Sequence, residues 1–490
     1  MSAVPADPTP ARSRWLALVL LCAASMMIIL DGTIVTVALP AVQADLGLSA
    51  SGLAWVVNAY LIPFAGLLLL AGRLGDLVGR KRVFLAGMAL FTLASLLCGL
   101  ATSEELLIAA RFLQGAGGAL ASAVGLGMVV LLFPEPRERA RAIGAYASVG
   151  AAGASVGLVA GGVLTDALDW HWIFFVNVPV GVVAGGLAVR VLAADRGLGL
   201  RRGADVLGAA LVTAGLMLAV YTIVETERRG WTSARTLGLG ALALALLAGF
   251  VVRQATAAQP LLRLRVLRSR NVAAANLVQL LTVAGMFGFQ FIVALYMQQV
   301  LGYGAARTGW GMFPTALVIG LVSLFVSARL TARFGARAVL SAGLVLIAAG
   351  LGWLSQAPHD GAYAVHLLGP MLVASLGAGL ALPSMAGLGM SDATEEDSGV
   401  VSGLFNTTQQ VGAAFGSATL ITLSAGRAED LRAAGTSAAE ALTAGHTLAF
   451  AIGAGLALLS LVISVTMPRT RRAPSAGSVQ ATEARQPIGA

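Results

Sequence analysis

Gly72-Arg73-Leu74-Gly75-Asp76-Leu77-Val78-Gly79-Arg80-Lys81-Arg82 packs four cations, one carboxylate and three glycines into eleven residues between two long apolar runs. The chain around it is poor in charge. Only 11% of its 490 residues are Asp, Glu, Lys or Arg, against ~25% in an average soluble domain. A segment this charged belongs in water, and in a membrane protein its cations mark the cytoplasmic side. Its glycines suit a tight turn between packed helices. The stretch is therefore expected as a short connection between two spans.

Composition supports a membrane reading throughout. Hydrophobic residues make up 58% of the chain, and the mean hydropathy is +0.85. The length would suit about three soluble domains, but the apolar excess argues for one polytopic all-α membrane unit. The net charge of +9 raises nucleic-acid binding. That class is set aside because the cations cluster in alternate loops and no basic face carries interleaved aromatics. Cys22 and Cys98 both fall inside apolar runs, so neither points to a disulfide or a metal. The first apolar core, Trp15 to Leu30, follows Arg12 and Arg14 as in a signal peptide. It is longer than a usual signal core and leads into Asp31 without a cleavage site, so it reads as a retained helix.

A helix crossing ~30 Å of hydrocarbon needs about 20 mostly apolar residues. Fourteen stretches qualify as transmembrane helices. Six lie near 15–37, 53–71, 83–101, 106–132, 141–164 and 172–193, and two near 204–224 and 236–253. The last six lie near 271–296, 309–328, 336–355, 364–388, 398–424 and 444–467. With the N-terminus cytoplasmic, most arginines fall in inner loops, and both ends are expected inside. The acidic stretch Asp392–Asp397 is the exception. A shift of 256 residues lays Ala328–Gly335 on Gly72–Gly79 and the first six spans on the last six. The expected organisation is a cytoplasmic segment 1–14 and a six-helix bundle 15–193. A linker 194–270 with two inserted helices, a second bundle 271–467 and a disordered tail 468–490 follow. Parallel repeats of this kind place a substrate site at their interface near the midplane.

Asp31 and Arg111 carry the chemistry in this reading. A carboxylate within a span costs ~2.5–3.5 kcal/mol on insertion scales. Two placements are open for Asp31: deep and paired, or at the outer interface. Arg111 begins the fourth span at matching depth, as a partner for Asp31 or as a cation reaching outward. Gln114, Gly115 and Gly118 share its face at spacings of three, four and seven. Gly150, Gly153, Gly157 and Gly161 form a stripe on the fifth span, suited to close and sliding helix packing. Gln114, Asn58, Tyr146, Gln279, Gln290, Asn406 and Gln410 are candidates for lining a substrate cavity, with interhelical contact as the alternative. Trp15, Trp170, Trp172 and Trp231 read as interface-belt residues. Enzyme motifs, metal clusters and a Walker loop are missing from the sequence. Transport with no cofactor would then draw on an ion gradient, at ~2.3 kcal/mol per charge per 100 mV.

Taken in order, these segments resemble the major facilitator superfamily, and within it the fourteen-span drug:proton antiporters. The resemblance covers roughly 15–467. It implies a major facilitator fold, two six-helix bundles plus two inserted helices. It also implies gating by Gly72, Asp76, Gly79 and Arg80, and proton coupling by Asp31 and Arg111. Asp31–Pro40 is similar to the family's first-span motif, Trp170–Pro179 to the start of its sixth span, and Gly399–Gln410 to that of the thirteenth. Three departures stand out. Ala154 and Leu158 follow Gly153 and Gly157 where the antiporter motif has Gly-Pro, Thr36 replaces an asparagine, and no second carboxylate accompanies Asp31 deep in a span. The expected function is proton-coupled efflux of small amphipathic drugs or antibiotics, by a monomer in a bacterial plasma membrane. Alternatives are a dedicated exporter of one endogenous metabolite or self-made antibiotic, an importer, and a transport-inactive receptor.

Overall fold

A computed structural model describes residues 11–133, 135–193, 195, 197, 199, 205–258, 260–262, 264–389 and 398–466. The tail 468–490, the first ten residues, the acidic stretch 392–397 and Arg201 and Arg202 lie outside them. The described residues form helices and no strand. In chain order these are α1 (Ala11–Leu46), α2 (Ala50–Val78), α3 (Arg80–Gly99), α4 (Glu104–Leu132), α5 (Pro136–Ala167), α6 (Trp172–Phe175) and α7 (Asn177–Val191). Then come α8 (Val206–Arg229), α9 (Ala234–Thr256), α10 (Arg270–Leu295), α11 (Ala305–Leu321), α12 (Ala328–Phe334), α13 (Ala336–Leu354), α14 (Leu368–Gly389), α15 (Ser398–Ala433) and α16 (Ala438–Thr466).

Among the described residues, twelve helical stretches are long and apolar enough to cross a membrane. The sequence count of fourteen adds α5 and α15 to these twelve. Both helices are long, and both pack lengthwise inside the molecule, α5 on α1 and α11, α15 on α10, α2 and α16.

Local chemistry sets the helix ends. Ser49 accepts from the Gly52 amide at 3.1 Å and so caps α2. Ser103 does the same for α4 through Leu106, and Glu104 and Glu105 sit in its first turn, where the helix dipole favours anions. The sixth span is broken at Val176 into α6 and α7. Pro179 has no amide hydrogen to offer the Phe175 carbonyl four residues back, which accounts for the break.

Gly72–Arg82 departs from its expected form. Gly72 to Val78 completes α2, and α3 begins at Arg80, so the whole connection is Gly79. Gly79 has φ +108°, in the left-handed region that favours glycine. Gly335, 256 residues on, has φ +87° and joins α12 to α13 in the same way. The internal repeat is thus a repeat of backbone geometry, with Ala332 in place of Asp76.

Candidate functional site

Asp31, in the second half of α1, is fully buried, and Arg111 of α4 is 2% exposed. The interfacial placements of both residues are therefore replaced by the paired one. Arg111 Nη1 donates to Asp31 Oδ2 at 2.6 Å and to Gln114 Oε1 at 2.6 Å. Arg111 Nε donates to the Val56 carbonyl of α2 at 3.2 Å. Gln114 Nε2 donates to Asp31 Oδ1 at 2.8 Å and to Ser95 Oγ of α3 at 2.8 Å. Asn177 Nδ2, from the first residue of α7, donates to Asp31 Oδ1 at 2.8 Å. The Tyr60 ring lies 4.3 Å from the guanidinium carbon and the Phe174 ring 5.7 Å from it. Both supply cation–π attraction in a dry setting.

The buried cation is matched by a carboxylate, an amide oxygen, a backbone carbonyl and two ring faces, which is what a charge away from water requires. Every described partner of Asp31 is a donor. The ionised carboxylate satisfies them all, whereas a neutral carboxyl would add a donor of its own to the set.

The glycine stripe lies along α1. A Cβ on Gly153 would meet the Met26 carbonyl at 3.3 Å, and one on Gly161 the Ile34 carbonyl at 2.6 Å. On Gly157 it would press on Thr33 Oγ1 and lie 3.0 Å from the Leu30 carbonyl. Gly150 is in α5, but its surroundings lie outside those described. Small residues thus bring α5 against the very helix that carries Asp31.

At the basic end of the molecule, Arg80 Nη2 meets Asp76 Oδ1 at 3.3 Å, and Arg80 Nη1 donates to the Gly127 carbonyl of α4 at 3.2 Å. Asp195 accepts from the first amides of α3, Arg80 at 2.6 Å and Lys81 at 3.1 Å. Its carbonyl would lie 2.9 Å from a Cβ on Gly79, a second reason for glycine there. No Cβ contact lies within 4 Å of Gly72.

The other sequence candidates scatter. Asn58 is buried between the two halves, where its side-chain oxygen accepts from Ser417 Oγ of α15 at 3.2 Å. Tyr146 is half-buried against α1, with its hydroxyl paired to Ser25. Gln279 is buried in α10 with Oε1 unpaired, Gln290 and Gln410 are half-buried, and Asn406 is exposed. Trp170 is not a belt residue: it is buried and donates through Nε1 to Asp45 Oδ2 at 3.0 Å. Sequence reasoning gave no role to Asn177, Ser95, Asp195 or Asp166. Asn177 stood within the quoted Trp170–Pro179 segment, but a neutral amide at a helix start carries no cost that marks it.

The described hydrogen bonds joining α1–α7 to α10–α16 lie toward the end opposite Gly72–Arg82. Gln298 Nε2 donates to the Val37 carbonyl at 2.9 Å. Asp166, near the end of α5, accepts from the Ala305 and Ala306 amides of α11 at 3.0 and 2.7 Å. Backbones touch here too: a Cβ on Gly162 would contact the Ala305 carbonyl and one on Gly309 the Leu158 carbonyl.

Comparison with known proteins agrees with this architecture. The chain is 40% identical to a cephamycin export protein of Amycolatopsis lactamdurans, over 94% of each chain. It is 37% identical to a puromycin resistance protein of Streptomyces alboniger, over 99% of this chain and 98% of the relative. A solved bacterial homolog of the human lysosomal transporter Spinster shares the fold, with a TM-score of 0.68 at 16% identity over 95% of this chain and 100% of that one. The model of the Major Facilitator Superfamily matches residues 21–417. The chain is a multi-pass membrane protein and belongs to the major facilitator superfamily, a family of transporters.

Proposed function

We propose that the chain exports small amphipathic antibiotics in exchange for protons, by alternating access. The buried Asp31–Arg111 pair with its amide donors carries this reading. A membrane carboxylate with a dedicated cation is a proton site at a depth where few other groups titrate. Proton uptake by Asp31 weakens its hold on Arg111 and so ties charge to the packing of α1 against α4. The glycine stripe of Gly150, Gly153, Gly157 and Gly161 lets α1 and α5 move as closely packed bodies. Asp76 with Arg80, Gly72 and Gly79 gates the basic end.

The reading takes all fourteen spans as transmembrane, with α5 and α15 completing the bundles α1–α7 and α10–α16 and α8–α9 inserted between them. The basic end faces the cytoplasm of a bacterial plasma membrane, as its arginines favour. The opposite end, closed by Asp166 and Gln298, then faces outward. A proton gradient drives a monomer that needs no cofactor.

The relatives are named for single antibiotics, cephamycin and puromycin, which favours a narrow exporter over a broad one. A resistance panel containing both compounds, in an efflux-deficient host, tests the proposal. The intact chain raises the tolerated dose of at least one antibiotic, and Asp31→Asn, present in the membrane at equal level, does not. Equal resistance from both forms would remove Asp31 from the mechanism.

A further inference from the structure

Two amides donate to the same oxygen of Asp31, and they differ in freedom. Gln114 is pinned. Its Oε1 accepts from Arg111 and also receives the Cys98 thiol at 3.7 Å, while its Nε2 serves Asp31 and Ser95. Turning it over would set its NH2 against the guanidinium, donor against donor. Asn177 makes one described contact, Nδ2 to Asp31 Oδ1. It also begins α7, beside the break at Val176, where the backbone of this span is not held by a continuous helix.

A proton on Asp31 needs an acceptor. The described partner of Oδ2 is Arg111, which has no acceptor atom. On Oδ1 the described partners are Gln114 and Asn177. The titratable and charged side chains that face Asp31 are Arg111 from α4, Tyr60 from α2 and Cys98 from α3. Among the described residues, α5, α6, α7 and α10 add none to its interactions.

We infer that Asn177 is a positioning residue that registers protonation of Asp31 by turning its side-chain amide end for end. This rests on Asp31 being the proton site. A proton arriving from water bonds to Asp31 Oδ1, the Asn177 N–H leaves that oxygen, and the new O–H donates to Asn177 Oδ1. Gln114 keeps its hydrogen bond to Oδ1 through the remaining lone pair, and Arg111 keeps its contact to Oδ2. The neutral and charged forms are then both satisfied, and the start of α7 differs between them. The sixth span thereby reads the charge state of the first.

The chain has five asparagines, Asn58, Asn177, Asn271, Asn276 and Asn406, so their carbonyls are separable by isotope labelling. The test is infrared difference spectroscopy between acid and neutral pH on the full chain in lipid, with and without 13C-asparagine. A protonated-carboxyl band that is lost in Asp31→Asn is expected, together with a label-sensitive asparagine carbonyl band that is lost in the same variant. Asn177→Gln keeps the carboxyl titration but loses the label-sensitive band. Asn177→Leu, which can neither donate nor accept, loses the label-sensitive band as well. A carboxyl band sensitive to Asp31→Asn with no asparagine band, or with one that survives in Asn177→Gln, overturns the role of Asn177 and leaves Asp31 in place. A carboxyl band that survives in Asp31→Asn overturns both. The wild-type, Asp31→Asn and Asn177→Gln spectra decide the matter even if Asn177→Leu fails to fold.

Discussion

Asp166 caps a helix of the other half of the molecule: it accepts from the Ala306 amide at 2.7 Å and the neighbouring Ala305 amide at 3.0 Å. A carboxylate at a helix N-terminus satisfies free amides and meets the positive end of the dipole. Because α5 and α11 lie in different repeats, this cap is also a latch between them. Asp166→Ala should loosen that end several-fold, read as the maleimide labelling rate of a cysteine placed at the buried Val37, whose carbonyl accepts from Gln298 just beyond α10. An unchanged rate would assign closure to the glycine contacts at Gly162 and Gly309 instead.

Arg111→Ala leaves Asp31 buried without its cation. Removal of one partner of a buried pair costs about 3–5 kcal/mol, so a large drop in thermal midpoint in detergent is expected. The double replacement Asp31→Leu with Arg111→Met should recover much of that loss while remaining without transport. A double variant no more stable than Arg111→Ala would mean the pair is not the source of the instability.

Gly161→Ala drives a methyl toward the Ile34 carbonyl, 2.6 Å from the ideal Cβ. The expected cost is about 1–3 kcal/mol, with reduced membrane yield. Gly32→Ala, on the same α1 but with nothing within 4 Å of its Cβ, is the matched control and should behave as the parent. Equal yields for the two variants would count against tight α1–α5 packing.

The carboxylate Asp205 clasps the inserted helices. Burial alone would raise its carboxyl, but hydrogen bonds from Arg253 at 2.9 Å, the Gly208 amide at 3.0 Å and Gln254 at 2.8 Å outweigh it and hold the group below the usual carboxylate range. A depressed folded value means the clasp stabilises above the unfolded carboxylate range. That stabilisation is lost as pH falls through the lower folded value. Thermal midpoints of the parent and Asp205→Asn should therefore differ near neutrality and converge in acid. A gap that stays constant with pH would show that Asp205 does not act through its charge.

Much of this architecture is legible in the chain. Spans announce themselves because hydrocarbon tolerates few charges, and the cations of Gly72–Arg82 stand out for the same reason. The 256-residue shift anticipates that Gly335 repeats Gly79, since a one-residue connection between helices needs a positive φ in both halves. The extent of that connection is less legible. Glycine and charge suggest a loop from Gly72 to Arg82, yet helix continues to Val78 because its amides are better bonded within α2 than in water. Trp170 misled in another way: a tryptophan near a span end reads as a lipid anchor until Asp45 is seen to accept its N–H.

The sequence by itself determined the class of molecule, the order of its spans and the two residues whose charge is out of place, Asp31 and Arg111. Each follows from a large local energy, the transfer of charge or apolar surface between water and hydrocarbon. Only the tertiary structure decided that Arg111 also serves Val56 and Gln114, that Asn177 reaches Asp31 across 146 residues of chain, and that Asp166 caps α11. Those choices rest on single hydrogen bonds to charged groups and on helix ends meeting in space. Such terms are worth about 1.5–3 kcal/mol each and depend on which groups packing brings within reach, so the choice of partner leaves no mark on the sequence until the helices are packed.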